Sequence, residues 1–94
     1  EVWLHAAGAR LQLHHLDPDT GLSRHLGLGP LNPADGDQLP VRVIPAGHWQ
    51  AARSTGAWTL VHCCVGPGFA FEDFSLLRDL PRQEWPDGLD PHLV

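Results

Sequence analysis

The stretch RVIPAGHWQAAR, Arg42 to Arg53, leads from a β-branched run into a proline-glycine turn and then into a second run that contains tryptophan and glutamine. β-Branched residues favour a strand. Proline fixes φ and glycine readily takes positive φ, so Pro45–Gly47 predicts that this strand ends in a tight turn. Either the turn only reverses the chain, or it also directs the side chain of Gln50 at a ligand.

Length and composition favour a small all-β domain. The chain has 94 residues, of which 43% are hydrophobic and 18% charged, a balance that is typical of a globular protein. A domain of this size buries only a little over ~60% of the surface that its unfolded chain exposes. Nine prolines and ten glycines disfavour long helices and favour short strands joined by turns.

Charge and cysteine content limit the classes of partner. A net charge of -5 argues against nucleic acid and against an anionic membrane surface as partners. The sequence has no apolar run near the ~20 residues of a spanning helix. The only cysteines, Cys63 and Cys64, are adjacent in a predicted strand, where their side chains point to opposite faces and do not pair. This pattern predicts a reducing, cytoplasmic location.

Alternation of polar and apolar residues predicts the strands. In the opening run EVWLHAAG, Glu1, Trp3 and His5 share one face. A second strand is expected in ARLQLHHL, with a hairpin turn at Ala6–Gly8 between the two. The near-continuous apolar run WTLVHCCV, Trp58–Val65, predicts a strand covered on both faces. Further expectations are strands at Leu22–Leu28 and Val41–Ile44, an exposed loop at Gly29–Pro40 and one helical turn at Glu72–Leu77.

Two motifs now combine into a family resemblance. Six residues separate Glu1 from Gly8, and PAGHWQ places a polar side chain, Gln50, three residues after Gly47. These features resemble the first and second motifs of the cupin superfamily. The likeness is closest to the family cupin 5, or DUF985, whose members carry similar strings to those at Glu1–Trp3, Leu26–Gly27, Val43–Ala52, Trp58–Phe69 and Phe71–Phe74.

The resemblance implies a cupin-type jelly-roll β-barrel, often paired as a homodimer. It implies that residues 1–80 form the C-terminal portion of this barrel and that residues 81–94 form a polar, proline-broken tail. It also implies a partial barrel, because the family has further strands before Glu1, one of which carries a histidine. An incomplete barrel exposes an edge, so we expect another chain or the parent protein to supply the missing part.

The resemblance also raises the question of a metal. Many cupins bind a divalent metal through first-motif histidines, a glutamate and a second-motif histidine. Here Glu1 takes the glutamate position, and Gln50 replaces the second-motif histidine. An amide oxygen is a weaker ligand than imidazole for such metals. The predicted cofactor is therefore either none or a divalent metal held by Glu1 and Gln50.

The predicted ligand-binding residues each have a structural alternative. They are Glu1, Trp3, Gln50, Phe69 and His62. Glu1 could instead fray at the chain start, Trp3 and His62 could be core residues, and Gln50 could be a structural amide. Phe69 could close an end of the barrel.

The predicted catalytic residues are Gln50 and Glu72. A carboxylate against aromatic rings can act as general acid or base, whereas the alternative role of Glu72 is to cap a short helix. The neighbouring pair His14 and His15 resembles a metal pair, but the rings of adjacent strand residues point apart. We expect both, and His48, at the surface.

The expected partner is a small polar metabolite, such as a sugar or nucleotide-sugar derivative. The predicted function is metal-independent binding, or isomerase or epimerase activity through acid–base groups. The alternatives are a metal-dependent enzyme of the dioxygenase type and a non-catalytic interaction barrel.

Overall fold

The computed structural model describes residues 1–87 and 89–94. Its strands form two sheets, one of three strands in the order β5-β1-β7 and one of four in the order β4-β3-β2-β6. All pairings are antiparallel except that of β3 with β4. The strands are β1 (Val2–Gly8), β2 (Leu11–Leu16), β3 (Ser23–Leu28), β4 (Gln38–Leu39), β5 (Val41–Val43), β6 (Trp49–Ser54) and β7 (Thr59–Cys64). The predicted all-β, jelly-roll-like class is confirmed.

The core lies mainly on one face of the four-stranded sheet. Leu11 and Leu13 alternate on β2, and Leu28 lies opposite Leu11 on β3. Leu13 and Leu28 are fully buried. Burying a leucine side chain stabilises the fold by about 2 kcal/mol. This leucine-bearing surface is the inner face of the sheet.

Polar contacts also join the two sheets. Arg42 on β5 donates through Nε to the carbonyl oxygen of Gly27 on β3 at 3.0 Å. The Arg42 guanidinium also lies 3.4 Å from Oδ1 of Asp37 in the loop before β4. Because arginine is always charged, this half-buried side chain needs such partners.

The predicted hairpin between the first two strands is wrong. β1 pairs with β5 and β7, whereas β2 pairs with β3 and β6. Gly8 has φ +85°, and the chain crosses there from one sheet to the other. A Cβ at Gly8 would lie 2.6 Å from the Trp58 ring and 2.7 Å from the Trp58 carbonyl oxygen. The glycine that was expected to close a hairpin therefore allows a close crossing between sheets.

The prediction that Trp58–Val65 is covered on both faces is also wrong. β7 is an edge strand of the three-stranded sheet, and Trp58 and Leu60 are 57% and 54% exposed. Val41 and Val43 on the opposite edge strand are exposed as well. The apolar composition allows burial, but no described element covers this outer surface. The expected homodimer stays a prediction.

The segment after β7 contains short 3-10 turns. They lie at Phe71–Asp73, Leu77–Asp79, Arg82–Glu84 and Pro91–Leu93, so the single helical turn expected at Glu72–Leu77 is replaced by separate turns. Trp85 is half-buried, and its Nε1 donates to the Leu80 carbonyl oxygen at 3.0 Å. Among the described residues, no helix has the length and apolar character to cross a membrane.

Substitution of Gly8 tests the crossing. Gly8→Ala should lower the free energy of unfolding by about 3 kcal/mol. The added methyl group would clash with the ring and the backbone of Trp58, and the positive φ at this position is strained for any residue other than glycine. Gly47→Ala is the matched control, since Gly47 also has positive φ but open space at its Cβ position. It should cost only about 1 kcal/mol. Equal losses in urea unfolding of the two variants would contradict the close approach.

Candidate functional site

A chain of hydrogen bonds connects the two sheets at Gln50. Trp3 on β1 donates from Nε1 to the Gln50 Oε1 at 3.0 Å. Gln50 on β6 then donates from Nε2 to the Glu1 Oε1 at 2.9 Å. Glu1 precedes β1 but is not frayed, because its carbonyl oxygen accepts from the Ile44 N–H at 2.9 Å. The structure thus brings together three residues that the sequence predicted at the site.

The neighbours of Gln50 fix the orientation of its amide. The indole N–H can only donate, so it requires the amide oxygen. The Glu1 carboxylate, when ionised, can only accept, so it requires the amide NH2 group. Rotating the amide by half a turn would place its NH2 group against the Trp3 N–H and its oxygen against the Glu1 carboxylate, so neither hydrogen bond could form.

This arrangement does not fit a metal held by Glu1 and Gln50. The amide presents hydrogens, not its oxygen, to the carboxylate, and those hydrogens would face any cation bound there. Within residues 1–87 and 89–94, no group of three or more His, Cys, Asp or Glu side chains has a geometry suited to a metal ion. The donor set at Glu1 and Gln50 therefore does not fit a divalent metal.

Cys63 extends the site along β7. It lies directly opposite Trp3 in the antiparallel register and therefore shares the face that carries Gln50's partners. Desolvation, followed by a hydrogen bond from the thiol to the Glu1 carboxylate and by the negative charge of Glu1, raises the pKa of the Cys63 thiol to about 11. The thiol is therefore protonated at neutral pH and is a poor nucleophile.

A second polar cluster begins at His15, the cross-strand neighbour of Gln50. The Nδ1 atoms of His15 and His48 lie 3.2 Å apart. On its other side, Nε2 of His48 lies 4.0 Å from Oδ2 of Asp17. The prediction that His48 lies at the surface is wrong, since its side chain is only 20% exposed. Sequence reasoning missed this cluster because the pairing of β2 with β6 brings together residues 33 positions apart.

His14 lies on the opposite face of β2, and the prediction that it is a surface residue is also wrong. It is 8% exposed and packs edge-on against His25, with ring centroids 4.2 Å apart. The Nδ1 atom of His14 is buried without a hydrogen-bond partner in the described part of the chain. Burial lowers the pKa of His14, and the neighbouring His25 adds to this effect. The expectation that the rings of His14 and His15 point apart is confirmed.

Three predicted site residues lie away from Gln50. His62 is exposed and pairs with Leu4, on the face of its sheet opposite to Trp3 and Cys63. Phe69 is 58% exposed and packs against two other phenylalanines, Phe71 and Phe74. Glu72 lies in the exposed 3-10 turn of that aromatic group. No described contact connects these three residues to Gln50.

A cavity of about 240 Å³ lies beside the four-stranded sheet. Its walls come from β2, β3, β6 and two later segments of the chain, and they include Leu16, Trp49, Gln50, Leu76, Arg78 and Leu93. Leu16 and Trp49 are opposite each other in the register and lie on the face of the sheet that carries His14. This cavity is mostly apolar in its lining, whereas the hydrogen-bonded cluster at Gln50 is polar.

A family comparison agrees with this geometry. A model of the family described as Cupin superfamily (DUF985) matches residues 1–77. The chain belongs to this cupin family. The match includes β1 to β7 and the cluster at Gln50, and it ends within the second 3-10 turn. No curated protein sequence matches the chain.

The pKa of Cys63 provides a test of the Glu1 position. In a Cys64→Ser background, only on the order of one in a thousand Cys63 thiols is ionised at pH 8, so alkylation by iodoacetamide should be slow. Glu1→Gln removes the neighbouring negative charge, so the pKa of the thiol should fall and the alkylation rate at pH 8 should rise. The pH dependence of the rate gives both pKa values.

Glu72→Gln in the same background is the control, because Glu72 lies in the exposed turn after β7. It should leave the rate unchanged. An alkylation profile that does not move in Glu1→Gln would contradict the placement of the Glu1 carboxylate beside Cys63.

Proposed function

We propose that this cupin binds a small polar metabolite, such as a sugar or nucleotide-sugar derivative, at the surface formed by Glu1, Trp3 and Gln50. The hydrogen-bond chain from Trp3 through Gln50 to Glu1 supports the proposal. It holds an exposed amide and a carboxylate in fixed orientation beside an indole ring. A flat aromatic surface with a few oriented polar groups suits a sugar, which has apolar C–H faces and hydroxyl edges.

The cluster retains unused hydrogen-bonding capacity for a ligand. Gln50 uses one N–H of its amide nitrogen and one bond to its oxygen, which leaves a second N–H and a second lone pair. The Glu1 carboxylate has further lone pairs beside the one that accepts from Gln50. A hydroxyl group can donate to one of these atoms and accept from another. Because the orientations are already fixed, little side-chain entropy is lost on binding.

We further propose that the protein catalyses an isomerase or epimerase reaction on this metabolite. Such reactions move a proton without redox change, and they require an acid or base beside the ligand. Glu1 is one such group in the cluster, and His15 is the cross-strand neighbour of Gln50. The competing proposal is that the domain only mediates interactions with other proteins. A test of metabolite binding distinguishes these two functions.

Paired glutamine variants test the binding surface. Saturation-transfer NMR with glucose, glucose 6-phosphate and UDP-glucose should show binding of at least one probe to the protein. Gln50→Ala should weaken that binding tenfold or more, because it removes the oriented amide and leaves Trp3 and Glu1 without their shared partner. The readout is the dissociation constant from the titration.

Gln12→Ala is the matched control. Gln12 is also a strand glutamine, but it lies on the opposite face of β2 and contacts His25. Its substitution should leave probe binding unchanged. Equal affinity of the Gln50→Ala variant and the unmodified protein would contradict the proposed surface, and failure of every probe to bind would favour the interaction domain.

A further inference from the structure

Three side chains lie in register across the inner face of the four-stranded sheet. His15 on β2 is directly opposite Arg24 on β3 and directly opposite Gln50 on β6. Residues directly opposite on antiparallel strands share a face, with Cβ atoms about 5 Å apart. A cation, an imidazole and an amide therefore stand side by side.

The contact between His15 and His48 is a hydrogen bond between ring edges. The ring planes are tilted by only 10°, and the centroids are 5.4 Å apart, which exceeds the 3.2 Å between the Nδ1 atoms. Rings stacked face to face would not place nitrogen atoms so much closer than their centroids. The two nitrogens point towards each other, so one carries the proton and the other accepts it.

Asp17 decides which ring donates. The N–H of Asp19 donates to Asp17 Oδ1 at 2.9 Å, and this bond, with Thr20 and His48, holds the pKa of the Asp17 carboxyl below its usual range. The ionised carboxylate lies 4.0 Å from His48 Nε2, so a proton is favoured on that nitrogen and a lone pair there is disfavoured. His48 Nδ1 is then the acceptor, and His15 Nδ1 is the donor.

This proton arrangement leaves the lone pair of His15 on Nε2. No described residue makes a hydrogen bond to that atom, and it is not among the buried unpaired atoms of the described chain, which are Arg10 Nε and His14 Nδ1. The titratable and charged groups that face His15 are His48, Arg24 and Asp17. Burial, His48 and Arg24 together outweigh Asp17 and lower the pKa of His15, so the ring is neutral at pH 7.

We propose that His15 Nε2 is the proton acceptor of an acid–base site in which Arg24 and Gln50 bind the oxyanion and polar groups of a small anionic metabolite. The proposal rests on the metabolite-binding function given above and specifies its substrate class. The metabolite carries a carboxylate or phosphate, which the Arg24 guanidinium can pair with. It also carries a C–H next to a carbonyl group, which is the acidic position in isomerisation and epimerisation.

The proton step is balanced within the site. The C–H proton moves to His15 Nε2, and the electron pair of the broken bond stays on the ligand as an enolate. The resulting imidazolium still donates a hydrogen bond from Nδ1 to His48. The negative charge of Asp17, on the other side of His48, stabilises the new positive charge. For a ligand with a hydroxyl group on that carbon, His15 returns the proton to the neighbouring carbon while the hydroxyl proton moves between the two ligand oxygens. This completes an isomerisation and restores the neutral ring.

Histidine NMR tests the proton arrangement. Long-range 1H–15N spectra of the protein labelled at histidine should show His15 protonated at Nδ1 and unprotonated at Nε2 near pH 7, with His48 in the opposite form. Asp17→Asn keeps the oxygen that accepts from Asp19 but removes the charge, so the His15 and His48 signals should shift towards the other tautomers. His62→Gln, a change on the far sheet, should leave both signals in place. A His15 protonated at Nε2 in the unmodified protein would overturn the proposal.

Titration with inorganic phosphate tests the oxyanion position. Phosphate should shift the His15 signals in a saturable manner, and Arg24→Gln should weaken this binding about tenfold. Arg53→Gln is the control, because Arg53 lies opposite Gln12 on the other face of the sheet. This substitution should leave phosphate affinity unchanged. Equal phosphate affinity in Arg24→Gln and the unmodified protein overturns the proposal, even if glucose binds through Gln50. If the unmodified protein binds phosphate but neither glucose nor UDP-glucose, the result instead contradicts the proposed sugar specificity.

Discussion

The amide of Gln50 is the contact on which the candidate site depends. It joins β6 of one sheet to residues at the start of β1 in the other. A small two-sheet protein has few buried side chains with which to fix the distance between its sheets. In the described part of this chain, five apolar residues form the buried core. An oriented polar bridge at the rim adds a directional constraint that leucine packing does not supply.

The same bridge places chemically different groups on one surface. Glu1 and Trp3 arrive from the three-stranded sheet, and His15 arrives from the four-stranded sheet as the neighbour of Gln50. An acid, an aromatic ring and a base are thus supplied by separate parts of the sequence. Their common position follows from the sheet order and from the register of each strand pair, not from any short motif.

The sequence predicted the local features of the fold well. The strands at Ser23–Leu28, expected after a turn, and at Val41–Val43, expected from β-branching, were predicted within one residue of their observed ends, because such signals report on the local chain. The turn before Gln50 was predicted from proline and glycine, and Gly47 does have positive φ. Each of these features is determined within a few residues.

Features that depend on distant partners were not predicted. The predicted hairpin at Gly8 is wrong because β1 pairs with strands that come much later in the chain: its smallest separation between paired residues is Leu4 with Val41, 37 positions apart. The burial of Trp58–Val65 failed because composition does not reveal that the strand is an edge. For the same reason Trp3, Glu1 and Gln50 were predicted as a group only through the family resemblance, and His15, His48 and Asp17 were not grouped at all.

The fixed amide also limits what a histidine at position 50 of this chain could do as a metal ligand. A histidine there could accept from Trp3 through one ring nitrogen and donate to Glu1 through the other, which would occupy both nitrogens. An imidazole in that state has no lone pair left for a cation. The indole would have to be lost as well, so a single replacement would preserve the hydrogen-bonded bridge, and two coordinated replacements would be needed to change its chemistry. Trp3 therefore limits the chemistry that position 50 can perform as well as contacting it.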